Sequence, residues 1–319
     1  MIRKTGTPQS AKRKGKFILE MKRNSGYYLM ILPPALVLFA FAYVPLPGLI
    51  VAFQDFNVVD VFRSPFVGTR NFDFFFRSGM AWRLTRTTMW FNINYLFWTH
   101  LVSIAFAIML TELRTKFSKR IYQNIMFLPH FFSVIIVAHL VTRVVFVDGM
   151  GIVNRVFEFF GGEAVPWSRE PAAWPGIIVG THVWRTVGFQ TIIYLASIAG
   201  IDDQLYEAAA IDGALRPRQI WHITLPMLVP TVIILTLLSI GNMVRGDFAL
   251  IYNLTTGINR PQLLRYTDII DTFVFRAIRE TVNFPMAAAV GLYQSVVGFV
   301  LVMWSNWLVR RYDKDKALF

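Results

Sequence analysis

The chain contains no cysteine. That one absence removes disulfides, thiolate metal ligands and cysteine nucleophiles together. Charge is also scarce: 16% of the 319 residues are Asp, Glu, Lys or Arg, against about a quarter in a soluble domain. Two catalytic signatures are missing. Gly15-Lys16 has no glycine at the upstream position of a G-x-x-x-x-G-K-[ST] phosphate loop and is followed by Phe17. There is no H-E-x-x-H zinc pair either. The chain is therefore expected to carry no nucleotide site, metal or cofactor of its own, and not to be an enzyme.

What it has in excess is apolar side chains, at 55%. They come in runs of about 20 residues, the length that crosses a ~30 Å hydrocarbon core as helix. The runs are apolar on nearly all faces and do not alternate with period two, which argues against a β-barrel. Six spans are predicted: about Tyr28 to Phe53, Thr87 to Thr111, Tyr122 to Phe146, Trp174 to Gly200, Met227 to Leu254 and Pro285 to Val309. The first run is too long for a signal-peptide core and lacks a small-residue cleavage site, so it reads as a retained span.

The net charge of +13 has a simple explanation in such a chain, because loops on the cytoplasmic side collect Lys and Arg. Nucleic acid is not an expected partner. Basic residues outnumber acidic ones in three segments: residues 1–26, the turn carrying Arg114, Lys116, Lys119 and Arg120, and the tail 310–319. With six spans these fall on one face, which predicts both termini in the cytoplasm. The intervening loops, about 54–86, 147–173 and 255–284, hold basic and acidic residues in nearly equal number. Their aromatic content predicts packed structure on the outer face rather than solvated linker.

Between the fourth and fifth spans, on the predicted cytoplasmic side, lies a polar hairpin over residues 201–226. Asp202 and Asp203 suit a helix entry. Leu205 to Ile211 then predicts a short helix, slim because Ala208, Ala209 and Ala210 line it. Gly213 suits a left-handed stop, and Pro217 the first turn of a second helix. Such an alanine face fits close docking into a groove, with Glu207 able to pair with a basic residue there. The bland alternative is an ordinary helical connector.

Glu207-Ala208-Ala209, Gly213 three residues on, and then Ile223, Leu225 and Pro226 resemble the signature of permease subunits of binding-protein-dependent ABC importers. That signature reads EAA, three residues, G, nine residues, I, one residue, LP, and every fixed position is present at the right spacing. YVPLPGLIVAFQDF (43–56), FLPHFFSVIIVAHL (127–140), DFALIYNL (247–254), DTFVF (271–275) and AAAVGLYQSVVGFVL (287–301) are similar to the LplB-like, oligo- and polysaccharide branch of carbohydrate permeases.

The resemblance implies an all-α, six-helix type I importer fold. It implies a second permease subunit, generally a different chain, two cytoplasmic ATPases that hold the ATP and Mg, a solute-binding protein, and surrounding membrane lipid. It also implies that Glu207, Ala208, Ala209, Asp212, Gly213, Ile223, Leu225 and Pro226 form the coupling helix and its base. The substrate it implies is an oligo- or polysaccharide, with a peptide or polyol as the alternative.

Polar residues inside spans are costly and usually functional. His182, Arg185, Thr186 and Phe189 share one helical face by spacing, with Trp184 and Gln190 beside them. Ser239, Asn242, Met243 and Gly246 repeat that spacing, with Arg245 and Asp247 adjacent. In the family the path runs on these two spans, so these positions are the path candidates. Arg185 and Arg245 suit a carboxylated sugar such as an oligouronate; the plainer expectation pairs Arg245 with Asp247. A membrane enzyme that modifies polysaccharide is the remaining alternative. His130, His139 and His182 have no acidic neighbour at helical spacing to support it.

Overall fold

The computed structural model describes residues 23–56, 63–256 and 261–312. Residues 1–22 of the expected basic tail, residues 313–319 of the C-terminal tail, and residues 57–62 and 257–260 of two expected outer loops lie outside the described residues. Among the described residues the architecture is helical, with one isolated bridge between Gln54 and Phe66. Four helices among the described residues are long and apolar enough to cross a membrane, or five if one sharply bent pair counts as a single crossing. The predicted fourth span is present at Trp174–Ala199 but is not among them; His182, Arg185 and Gln190 dilute its apolar content.

Helix α1, Ser25–Leu38, buries none of its side chains. It continues through a π turn at Phe39–Tyr43 into a 3-10 stretch, Leu46–Phe53, which packs on the C-terminal helix of the chain. A helix apolar all round and buried against nothing of its own chain suits lipid or a partner, not water. A short helix α2, Arg70–Arg77, ends at Ser78-Gly79, where Gly79 takes φ +73°. Helix α3 then runs Met80–Thr111, starting earlier than the predicted Thr87.

The predicted third span is broken. Helix α4, Lys116–Phe131, and helix α5, Val134–Leu140, continued by a π turn to Val145, meet at 101°. Pro129 lies in the last turn of α4, where it offers no N–H to the ladder. Phe132 and Ser133 are extended, and the Ser133 hydroxyl accepts the Ile136 N–H at 3.4 Å as the cap of α5.

Helix α6 is Ile152–Phe159 and helix α7 is Trp174–Ala199. Between them, as predicted, the loop is packed. Asn154 is fully buried; its Oδ1 accepts from Val165 N–H at 3.1 Å and Trp167 Nε1–H at 2.9 Å, and its Nδ2 donates to Val165 C=O at 2.9 Å. The polar hairpin follows as helix α8, Asp203–Ile211, and helix α9, Arg216–Gln219.

The predicted fifth span is also broken. A π turn at Ile220–Thr224 leads into helix α10, Leu225–Ile240. The chain leaves the helix over Gly241–Gly246 and resumes as helix α11, Phe248–Thr256. Free backbone groups at membrane depth must find protein partners. Here Asn92 Nδ2 donates to the Met243 and Arg245 carbonyls at 3.0 and 3.2 Å, and Gln294 Nε2 to the Val244 carbonyl at 2.8 Å. Asp271 accepts the Gly246 N–H at 2.8 Å. The sequence predicted one helical face through Ser239, Asn242, Met243 and Gly246; the last three instead lie in the break.

Helices α12, Pro261–Thr267, and α13, Ile270–Arg279, precede the long α14, Phe284–Tyr312. The core is built around α7, which lies along α3 and crosses α4. Phe91, Trp174, Ile178, Leu250, Ile251, Leu254 and Leu263 are buried together in it. At the α4 crossing, a Cβ on Gly188 would run into the backbone of Met126 and Phe127. That position needs glycine because the two backbones touch.

Candidate functional site

A cleft of about 350 Å³ opens between α3, the end of α4, α7 and the α10–α11 break. Its walls include His182, Thr186, Phe189 and Gln190 from α7, Ser239 from the end of α10, and Asn242 and Met243 from the break. Two separate sequence stripes thus meet across one space. Asn92, Tyr95, Thr99 and His100 from α3 and His130 from α4 also line it. Sequence reasoning did not select those five. The signal was present: Asn92, Tyr95 and Thr99 are spaced i, i+3, i+7 on a predicted span.

The lining offers two kinds of surface. Phe189 and His130 stack with ring centroids 5.1 Å apart and planes 13° apart, and Phe127 stacks on His130 at 5.7 Å. Around this flat apolar patch stand amides, hydroxyls and imidazoles. Gln190 Nε2 and the Tyr194 hydroxyl both reach His100 Nδ1, at 2.6 and 2.5 Å. The Tyr95 hydroxyl and Thr99 Oγ1 are buried and have no hydrogen-bond partner among the described residues. Leaving such a group unpaired costs ~1–3 kcal/mol, so the cleft wall carries two unmet hydrogen-bonding groups.

Beside the cleft lies an ion cluster. The Asp247 carboxylate accepts from His182 Nδ1 at 3.1 Å and Arg185 at 3.3 Å, and its other oxygen caps α11 by accepting the Leu250 N–H at 3.2 Å. The Tyr95 ring stacks on His182 with centroids 3.9 Å apart. Asp247 thus joins α7 across the break, and its partner is Arg185 rather than the Arg245 that the sequence suggested. His182 does have an acidic partner, one that helical spacing within its own span could not reveal. Arg185 is committed to this pair and is not a free carboxylate clamp. Arg245 is exposed, and Trp184 is exposed away from the cleft lining. Gly246 packs against Ile269.

The hairpin after α7 has the local structure its sequence dictates. Asp202 accepts the Gln204 N–H at 3.0 Å and starts α8 two residues before the predicted Leu205. Gly213 stops it with φ +77°, and the Ala214 N–H returns to Ala209 C=O at 2.8 Å. Glu207, Ala208, Asp212 and Gly213 are exposed, Ala209, Ile223 and Leu225 are half-buried, and Pro226 is exposed at the start of α10. Ile211 and Leu215 project at 86% and 77% exposure. The base is fixed to the bundle: Gln219 Nε2 donates to Ala214 C=O at 3.0 Å, and Arg216 lies 3.8 Å from Glu112. Tyr206 and Thr224 join their hydroxyls at 2.9 Å.

A helical membrane bundle with a polar cleft and an exposed helical hairpin is the arrangement of a driven transport subunit. Residues 100–314 match the family of binding-protein-dependent transport system inner membrane components. The chain belongs to that family. It is 35% identical over 306 residues to the polygalacturonan/rhamnogalacturonan transport system permease protein YteP of Bacillus subtilis, covering 95% of this chain and 93% of that one. It is 32% identical to protein LplB of the same organism, covering 92% of each. A crystal structure of a bacterial ABC transporter involved in importing the acidic polysaccharide alginate superposes with TM-score 0.84 at 30% identity, over 93% of this chain and 99% of that chain. The expected family therefore stands, and so does the expected all-helical type I permease fold.

Proposed function

We propose that the chain is one permease subunit of an ATP-driven importer that carries an acidic oligo- or polysaccharide across the cytoplasmic membrane. A solute-binding protein delivers the saccharide, a second permease closes the other side of the path, and partner ATPases act through the hairpin. One observation carries this reading. Helix α7 enters the hairpin directly and α10 leaves it directly, so the element open to a cytoplasmic partner is continuous with two walls of the cleft. A displacement of the hairpin is passed to the cleft through stiff, packed elements.

The cleft chemistry suits a sugar. A stacked aromatic patch takes the C–H face of a pyranose, and Asn242, Gln190, Tyr95 and Thr99 offer hydrogen bonds to its hydroxyls. The acidic character is supported by YteP and the alginate importer rather than by Arg185, which Asp247 already neutralises. Six crossings follow if α1 with its extension, α3, the α4–α5 pair, α7, the α10–α11 pair and α14 each count once. The basic segments then put both termini in the cytoplasm.

The test is ATP hydrolysis by the reconstituted transporter with its binding protein and a panel of neutral and acidic oligosaccharides. Stimulation by oligouronates above neutral oligomers is expected. Stimulation by peptides or polyols instead, or by no solute at all, would overturn the assignment.

A further inference from the structure

Near the start of α3, on a face turned away from the cleft, lies a second pocket of about 350 Å³. It is lined by Trp82, Arg83, Arg86 and Trp90 of α3 and by Arg265 and Tyr266 of α12. Three guanidinium groups therefore gather among three aromatic rings. Arg83 comes within 3.9 Å of Asp268, but that carboxylate is bonded at 2.7 Å to Arg276. Arg86 and Arg265 have no carboxylate within ion-pair distance among the described residues. Such a cluster is electrostatically unfinished, and its complement is an anion.

The position in the fold identifies the anion's carrier. Residues 87–111 of α3 hold no Asp, Glu, Lys or Arg, about 38 Å of helix at ~1.5 Å per residue, which is enough to cross the ~30 Å hydrocarbon core. Arg83 and Arg86 then stand at a membrane–water interface, among the Trp and Tyr side chains that favour that depth. Below the pocket the same face of α3 continues as Ile93, Phe97 and Leu101, exposed by 52%, 56% and 48%. Asn92, Tyr95 and Thr99, which line the cleft, lie on the opposite side of the helix. A soluble saccharide leaving this pocket would meet only an apolar track.

We infer that this pocket binds the phosphate of an anionic glycerophospholipid, with its acyl chains lying along Ile93, Phe97 and Leu101. Arg86 and Arg265 hold the phosphate oxygens through charge-assisted bonds, and Trp82, Trp90 and Tyr266 flank the glycerol. The site depends on α3 spanning the membrane and not on which solute the transporter carries.

The test uses the purified transporter complex, with phosphatidylglycerol and phosphatidylcholine as probes and native mass spectrometry to count retained lipids. The intact complex is expected to retain phosphatidylglycerol in preference, and Arg86→Ala with Arg265→Ala to cut that retention about fivefold or more. Phosphatidylcholine retention and basal ATP hydrolysis should not change, which separates loss of the site from loss of the fold. Equal retention of the two lipids by the intact complex would overturn the inference. So would undiminished phosphatidylglycerol in the double variant, or its displacement by a soluble oligogalacturonate, which would make the pocket a saccharide site.

Discussion

Replacing Asp247 by Asn tests the ion cluster that closes the α10–α11 break. The carboxylate accepts from His182 and Arg185, and the three side chains are 17%, 19% and 20% exposed, in the order Asp, His, Arg. Removing one partner of a buried pair costs ~3–5 kcal/mol, mostly because the other charge is left buried and unpaired. Arg185 is already short of bonds, since its Nε has no partner among the described residues. Asn keeps an oxygen for the Leu250 N–H, so the loss should fall below that range, at ~2–3 kcal/mol. For a chain of this size that is roughly 5 °C in the thermal midpoint of the purified complex, at ~2 °C per kcal/mol. Arg185→Gln combined with Asp247→Asn removes both charges, so its loss should be clearly smaller than the sum of the two single losses. The measurement is thermal unfolding of the four members of this double-mutant cycle. If the double loss equals the sum of the single losses within ~0.5 kcal/mol, the pair is not what joins α7 to the break.

Three further outcomes follow from the geometry. Gly188→Val should force α4 from α7, cost ~1–3 kcal/mol by overpacking, and separate His130 from Phe189; thermal unfolding and solute-stimulated ATP hydrolysis should both fall, and normal values for both would mean the crossing is loose. Asn154→Ala leaves the Val165 N–H, the Val165 C=O and the Trp167 Nε1–H without their partner, so at ~1–3 kcal/mol for a buried unpaired group we expect ~3 kcal/mol lost and faster proteolysis between α6 and α7. Gly213→Val places a branched side chain at φ +77°, straining the hairpin by at least ~1–2 kcal/mol; with Glu207→Lys as its companion, it should leave saccharide binding to the delivery protein intact while transport-linked ATP hydrolysis falls, and normal transport in both variants would refute the coupling role.

The hairpin was legible in the sequence because its structure is local. Asp202 caps, the alanines propagate, and Gly213 terminates, each through bonds to residues a few positions away. The four long apolar helices were legible as apolar runs for the same reason: length and composition act without reference to the rest of the fold. The two breaks were not. Residues 241–246 lie in an apolar run that reads as helix, and what holds them open is Asn92, Asp271 and Gln294, all distant in sequence. The α4–α5 bend had a local clue in Pro129 and Ser133, but its angle depends on what α5 packs against.

The cleft divides in the same way. The spacing near Ser239 named lining residues without the break that holds Asn242 and Met243, whereas the stripe on α7 could be read from helical spacing, and so could Asn92, Tyr95 and Thr99. Which stripes face each other could not, because helical periodicity gives a residue's face and not its neighbour. Only the tertiary structure could pair Asp247 with His182 and Arg185 rather than with Arg245, and send Trp184 away from the cleft. An ion pair in a membrane protein is chosen by which charges the packing leaves buried together, and that is a property of the assembled helices.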